Sequence, residues 1–171
     1  MNNFTIKQKG ELVLEILEVD VSYADIVGKV HSAAWKDAYI DIFSHEYINK
    51  DTSEDRKQEC ITFLANNNNK YYLIMAKNIP IGIIKLSIKS VNLCEIESIY
   101  FLNEHRGNGY GTLVINFIKK VYRGYKIILW VLEKNHKAIR FYKKNGFIWD
   151  SRKRIINRGY DYYQVQFVYH N

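Results

Sequence analysis

Two groups of residues in this 171-residue chain could do chemistry. Residues 106–111, Arg-Gly-Asn-Gly-Tyr-Gly, place three glycines just before an apolar-periodic stretch containing Leu113, Val114, Phe117, Ile118 and Val121. A glycine-dense turn at a helix start bares backbone N–H groups at the positive end of a helix dipole. That arrangement suits phosphate, and pyrophosphate best. Just upstream, Glu95 and Glu97 are two residues apart, so on a strand they project from one face. Such a pair fits a general base, an anchor for a cationic amine, or a structural ion pair.

The elements that must position these groups follow from periodicity. Residues 93–102 read as a strand in which Ile96, Ser98, Tyr100 and Leu102 alternate with Glu97, Ile99 and Phe101. The glycine loop and its helix come next, and then a nearly continuous apolar run over 125–132, as expected of a strand buried on both faces. A strand–helix–strand crossover makes the two strands parallel. Residues 135–145 read as a short helix capped by Asn135 and stopped by Gly146.

Upstream, residues 11–19 form a first strand. A helix over 22–40 follows, with Ser22 or Asp20 as cap and Ile26, Val30, Ala33, Ala34 and Ala38 at helical spacing. Trp35, Tyr39, Ile42 and Phe43 crowd its end. A second helix runs to about residue 66 from Thr52 or Ser53. Strands over 71–77 and 81–89, joined by a turn at Asn78-Ile79-Pro80, lead into 93–102 as an antiparallel meander. A hairpin of 147–154 and 160–169 ends the chain.

Composition narrows the classes of function. A hydrophobic content of 47% with 25% charged residues is globular, and the length suits a single domain, 1–171. No apolar run reaches membrane-spanning length, and the start lacks a signal-peptide core. A cytoplasmic protein with no membrane partner is expected. Cys60 and Cys94 fit no metal or redox spacing, and the five histidines are scattered, so no metal is expected. Up to Asn103, 11 Lys/Arg face 14 Asp/Glu; from Glu104 onward, 14 face 4. The basic half begins at the glycine loop, which points to a polyanionic ligand. Nucleic acid is the rival ligand, but the chain carries no recognisable nucleic-acid-binding motif and no nucleic-acid partner is expected.

The loop ends in Gly111-Thr112 without the lysine of a P-loop, and its glycine spacing is not that of a dinucleotide fingerprint. The spacing that does match is Arg-x-x-Gly-x-Gly, which resembles the acetyl-CoA loop of the GNAT N-acetyltransferases. A second stretch, Asn135-x-x-Ala138-x-x-Phe141-Tyr142 followed by Gly146-Phe147, resembles another segment of that family, in the right order and at the right separation. The resemblance covers residues 71–167 well and the N-terminal part in outline. It departs from the common pattern at Asn103, where many relatives have proline.

The resemblance implies a mixed α/β fold, with a mostly antiparallel central sheet splayed between two parallel strands and flanked by helices. It implies acetyl-CoA as co-substrate. Ile99, Tyr100 and Phe101 would meet the pantetheine arm, Phe101 N–H the developing oxyanion. Arg106, Gly107, Asn108, Gly109, Tyr110, Gly111 and Thr112 would cradle the pyrophosphate, and Asn135 would hold the arm or cap its helix. Tyr142 matches the family's usual tyrosine beside the thioester, and its structural alternative is a packing aromatic. Glu95 sits where some relatives carry a catalytic base. Glu97 is as well suited to bind a cationic acceptor as to take part in catalysis. Trp35 and Tyr39 would help wall the acceptor pocket, or serve as core. The implied activity is acetyl transfer to a primary amine of a small molecule, a polyamine or an amino-acid-like compound. The alternatives are acetylation of a protein N-terminus or lysine, and a non-catalytic CoA-binding module. The late strands often mediate pairing in relatives, so a homodimer is an expected partner state.

Overall fold

Alternating apolar residues and short turns build one eight-stranded sheet in the computed structural model, which describes residues 2–8 and 11–170. Chain order gives β1 (Asn3–Gln8), β2 (Glu11–Glu18), α1 (Ala24–Tyr39), α2 (His45–Asn49), α3 (Ser53–Leu64), β3 (Asn69–Ala76), β4 (Ile79–Ser90) and β5 (Leu93–Phe101). Then come α4 (Tyr110–Val121), β6 (Lys126–Leu132), α5 (His136–Lys144), β7 (Ile148–Asn157) and β8 (Asp161–His170). The strand order is β1-β2-β3-β4-β5-β6-β8-β7, and every neighbouring pair is antiparallel except β5 and β6. The splayed mixed sheet expected from the sequence is the fold observed.

Each face of the sheet carries its own layer. On one, α4 and α5 cover Ile96, Leu129, Val131 and Phe167, with Val114, Ile115 and Ile118 of α4 fully buried. On the other, α1 and α3 cover Tyr71, Leu73 and Ile83. The two helices pack so closely that a Cβ on Gly28 would meet the Ser53 carbonyl at 2.4 Å. An aromatic cluster of Trp35, Phe43, Tyr47 and Tyr162 closes the end of the second layer.

Several local expectations are corrected. β1 and α2 were not expected. The first helix begins two residues later than 22, after a 3-10 turn (Val21–Tyr23) that Asp20 caps through the Ser22 N–H at 2.8 Å. Its buried face is Val27, Val30, His31, Ala34 and Trp35. Ile26 is 44% exposed and Ala33 is exposed. Pro80 is not the bend. Lys77 and Asn78, with φ of 49° and 63°, make the turn, and Pro80 lies inside β4 where the register with β3 shifts. No helix is long and apolar enough to cross a membrane among the described residues, and no group of three or more His, Cys, Asp or Glu could hold a metal.

Candidate active site

The site opens where the parallel pair comes apart. β5 and β6 are paired only over residues 93–96 and 126–129. Beyond that, β5 stays on β4 and β6 stays on β8. The gap is a cleft of about 540 Å³ walled by both strands, the glycine loop and α5.

A bulge shapes the β5 wall. Opposite Lys85 and Leu86 the register slips, so Glu97 is the extra residue. Ile96, Ile99 and Phe101 therefore face α4 and α5, while Tyr100 faces α1. The simple alternation expected for this strand fails at Glu97 for that reason. Leu102 N–H donates to Ile81 O at 2.9 Å, which fixes the phase of the antiparallel ladder. In that phase the backbone groups of Ile99 and Phe101 turn away from β4 and into the cleft, and those of Tyr100 pair with β4. Phe101 O accepts from Arg106 Nε at 2.9 Å, and the ladder phase turns the Phe101 N–H toward the gap.

At the loop, Gly107 and Gly109 have φ of +81° and +79°, and a Cβ on either would touch nothing within 4 Å. Glycine is required there by backbone angle, not by crowding. Among the described residues, the N–H groups of residues 107–111 have no hydrogen-bond partner in the chain. Gly111 has a different reason: its Cβ would stand 2.9 Å from the Phe141 ring, so it lets α4 and α5 meet. Arg106 does not point its guanidinium at the loop. Its other nitrogens donate to Ala34 O at 3.0 Å and Asp37 O at 3.2 Å, closing the end of α1. Of residues 105–112, His105, Arg106, Gly107, Gly109, Tyr110, Gly111 and Thr112 line the cleft and Asn108 does not. Asn135 caps α5 by accepting from Ala138 N at 3.0 Å, and it also lines the cleft.

Three tyrosines meet in the cleft wall. Tyr39 and Tyr100 hydroxyls are 3.1 Å apart, and Tyr142 lies close enough to act electrostatically on both. Burial raises all three above the ordinary tyrosine value, with neighbouring phenols adding to it at Tyr39 and Tyr142 and the bond with Tyr39 opposing it at Tyr100. Each hydroxyl therefore stays protonated at neutral pH and is available as a donor. His31 stacks on Tyr100 with ring centroids 5.4 Å apart and bonds Tyr71 Oη through Nδ1 at 2.6 Å.

The glutamates divide. Glu97 lines the cleft, while Glu95 is 8% exposed and sits outside its lining. Lys89 Nζ bridges them, at 2.6 Å from Glu97 and 3.3 Å from Glu95. Burial first, and the Glu97 charge second, hold the Glu95 carboxyl above the usual carboxylate range. Of the two aromatics expected in the acceptor wall, Tyr39 lines the cleft. Trp35 is 6% exposed, packed against Phe43 and under the Arg56 guanidinium, and is core. Trp130 and Gln164 were missed, although both line the cleft. The continuous apolar run of β6 gives no alternation that would single out Trp130.

The family model described as Acetyltransferase (GNAT) family matches residues 32–147. The chain belongs to the GNAT acetyltransferase family. As a GNAT enzyme it is an acetyl-CoA-dependent N-acetyltransferase. The cleft fits that donor: unpaired N–H groups on a left-handed glycine loop stand at one end, and apolar walls with a free Phe101 N–H follow. No curated protein matches the chain by sequence. Solved structures of the same fold include the PaiA N-acetyltransferase of Thermoplasma acidophilum in complex with coenzyme A. It is 24% identical with a TM-score of 0.70 over 91% of this chain and 99% of that one. The spermidine/spermine N-acetyltransferase SpeG of Vibrio cholerae is 15% identical, with a TM-score of 0.67 over 92% of each. An acetyltransferase of Salmonella typhimurium that modifies the N-terminal serine of ribosomal protein L7/L12 is 13% identical. Its TM-score is 0.73 over 93% of this GNAT chain and 95% of its own.

Proposed function

We propose that the protein transfers acetyl from acetyl-CoA to the primary amine of a small molecule, by direct attack with both substrates bound. The observation that carries this reading is the placement of Glu97 and the tyrosine cluster on the same cleft as the glycine loop. The donor supplies an acetyl group activated as a thioester. The chain's residues supply position and charge. The unpaired N–H groups at Gly107, Gly109, Tyr110 and Gly111 serve the pyrophosphate, and Ile99, Phe101 and Asn135 serve the pantetheine arm.

Glu97 meets the incoming ammonium, and the Glu95–Glu97 pair takes its proton, acting as one coupled unit across Lys89. The neutral nitrogen bonds to the acetyl carbon while the carbon–sulfur bond breaks. The products are the amide, the thiol of CoA and one proton. Phe101 N–H faces the carbonyl oxygen as charge develops on it. Tyr142 donates to the departing sulfur. Because burial raises its pKa, the hydroxyl acts by hydrogen bonding to the thiolate more than by giving its proton away.

A thiol-release assay with acetyl-CoA against a panel of small primary amines tests the reading, with the product confirmed by mass as the acetyl amide. Thiol release that needs a protein N-terminal or lysine peptide, with every small amine inert, would transfer the assignment to a protein acetyltransferase.

A further inference from the structure

The acceptor end of the cleft is not an anionic pocket. Lys89 spans both carboxylates, at 2.6 Å and 3.3 Å, so one cation already offsets one of the two charges, and the remainder suits a single ammonium more than a polycation. The β7–β8 hairpin beside them is rich in cations. Two of these are spent: Arg152 reaches Asp150 at 3.5 Å, and Lys153 reaches Glu133 at 2.6 Å. Among the described residues, Arg154 and Arg158 have no carboxylate within ion-pair distance. Arg154 is exposed and stands behind the cleft lining, packed on two residues that belong to it. Its guanidinium lies 4.4 Å over the ring of Trp130, and its Nε donates to Gln164 Oε1 at 2.7 Å. Trp130 and Gln164 both line the cleft, as does Glu97.

This geometry points to an acceptor that carries an anionic group, carboxylate or phosphate, a few bonds from its amine, with the amine at Glu97 and the anion at Arg154. The inference rests on the acetyltransferase reading of the cleft. Stacking on Trp130 and the single bond to Gln164 fix the plane of the guanidinium and leave its terminal nitrogens to a forked anion. Arg154 also lies within electrostatic reach of Glu95 and Glu97, which places its guanidinium near the carboxylate that meets the amine. Arg158 lies near enough to Tyr39 to act on its hydroxyl, which adds positive potential at the same mouth. A diamine would place its second ammonium against these two guanidinium groups.

Matched amines test this in the thiol-release assay: γ-aminobutyrate, butylamine and putrescine share a chain length, ε-aminocaproate extends the carboxylate series, and phosphoethanolamine supplies phosphate. At least one anionic amine should exceed butylamine and putrescine in kcat/KM by about tenfold or more, the scale of a charge-assisted hydrogen bond. Which anionic amine leads assigns carboxylate or phosphate. Arg154→Ala should bring the ratio of anionic amine to butylamine close to one, Arg154→Lys should keep part of it, and Arg154→Glu should turn the preference toward putrescine. A wild-type preference for putrescine or butylamine would overturn the inference. So would a ratio unmoved by Arg154→Ala, or no turnover of any of these amines by a protein whose melting temperature CoA still raises. Absence of that CoA shift would instead remove the underlying acetyltransferase reading.

Discussion

The two faces of the sheet hold their parts of the site by different means. On the α4–α5 face, the proposed donor end is made of backbone: two glycines at positive φ, a run of unpaired N–H groups, a cap at Asn135 and a close approach at Gly111. On the α1–α3 face, the proposed acceptor end is made of side chains drawn from distant segments. Tyr39 reaches Tyr100, Lys89 bridges two glutamates, and His31 stacks behind them on Tyr100. A backbone site constrains residue type at each position and tolerates little. A side-chain site can be rebuilt with other residues on the same frame, which suits a surface that sets acceptor choice.

The largest effect is expected at Tyr142, where the two ends meet. Tyr142→Phe keeps the ring that packs on Phe141 and Phe147, with centroids 5.1 Å and 5.7 Å away, and removes only the hydroxyl. Turnover should fall by roughly 10²-fold with little change in the KM for acetyl-CoA, the pattern of an interaction made mainly in the transition state. Steady-state kinetics on an acceptor for which chemistry limits the rate reads this directly. Wild-type turnover would make Tyr142 a packing residue.

A smaller effect is expected at the donor end. Gly109→Val places a β-branched side chain at a φ of +79° that it rarely adopts. Acetyl-CoA affinity should drop by about tenfold or more as the loop rearranges and N–H groups are lost to the ligand. Calorimetry on the folded variant checks it, and unchanged affinity would remove the loop from the pyrophosphate site.

The third prediction concerns stability, and it separates the faces by pH. Burial depresses His31 from 6.5 to about 3. Its contribution is complete above the unfolded value of 6.5 and is lost as the pH falls from there toward 3, because only the unfolded chain takes the proton readily. Glu59, held down to about 2 by Lys85 and its other neighbours against the opposing cost of burial, adds a loss that begins near 4.5. About 2–3 kcal/mol should be gone by pH 4.5 from His31 alone. Urea midpoints across this range should fall steeply for the parent and more shallowly for His31→Gln. Parallel slopes would contradict the assignment.

The same contrast explains what was legible in the sequence. The glycine loop and the Asn135 segment could be read because backbone angle and capping demand particular residues at fixed offsets. Thr52 was legible as a cap for the same reason, and it accepts from Asp55 N at 3.0 Å. The acceptor end could not be read this way. Tyr39 and Tyr100 are 61 residues apart in the chain, and nothing local marks their pairing. The bulge at Glu97 depends on how β4 and β5 slip past each other, so the facing of Ile96 relative to Tyr100 was misread. Trp35, at the end of an aromatic-rich helix, fits pocket wall or core by sequence, and it is core because Phe43, Tyr47 and Arg56 from outside that helix pack on it.

The most direct test of this division is a full two-substrate kinetic matrix on the parent, Gly109→Val and Glu97→Gln, with an amine that the parent acetylates. Gly109→Val should raise the KM for acetyl-CoA and leave that for the amine near the parent value, while Glu97→Gln should do the reverse. If Glu97→Gln moves the acetyl-CoA KM as much as the amine KM, or Gly109→Val moves neither, the two ends of the cleft are not the separate donor and acceptor sites described.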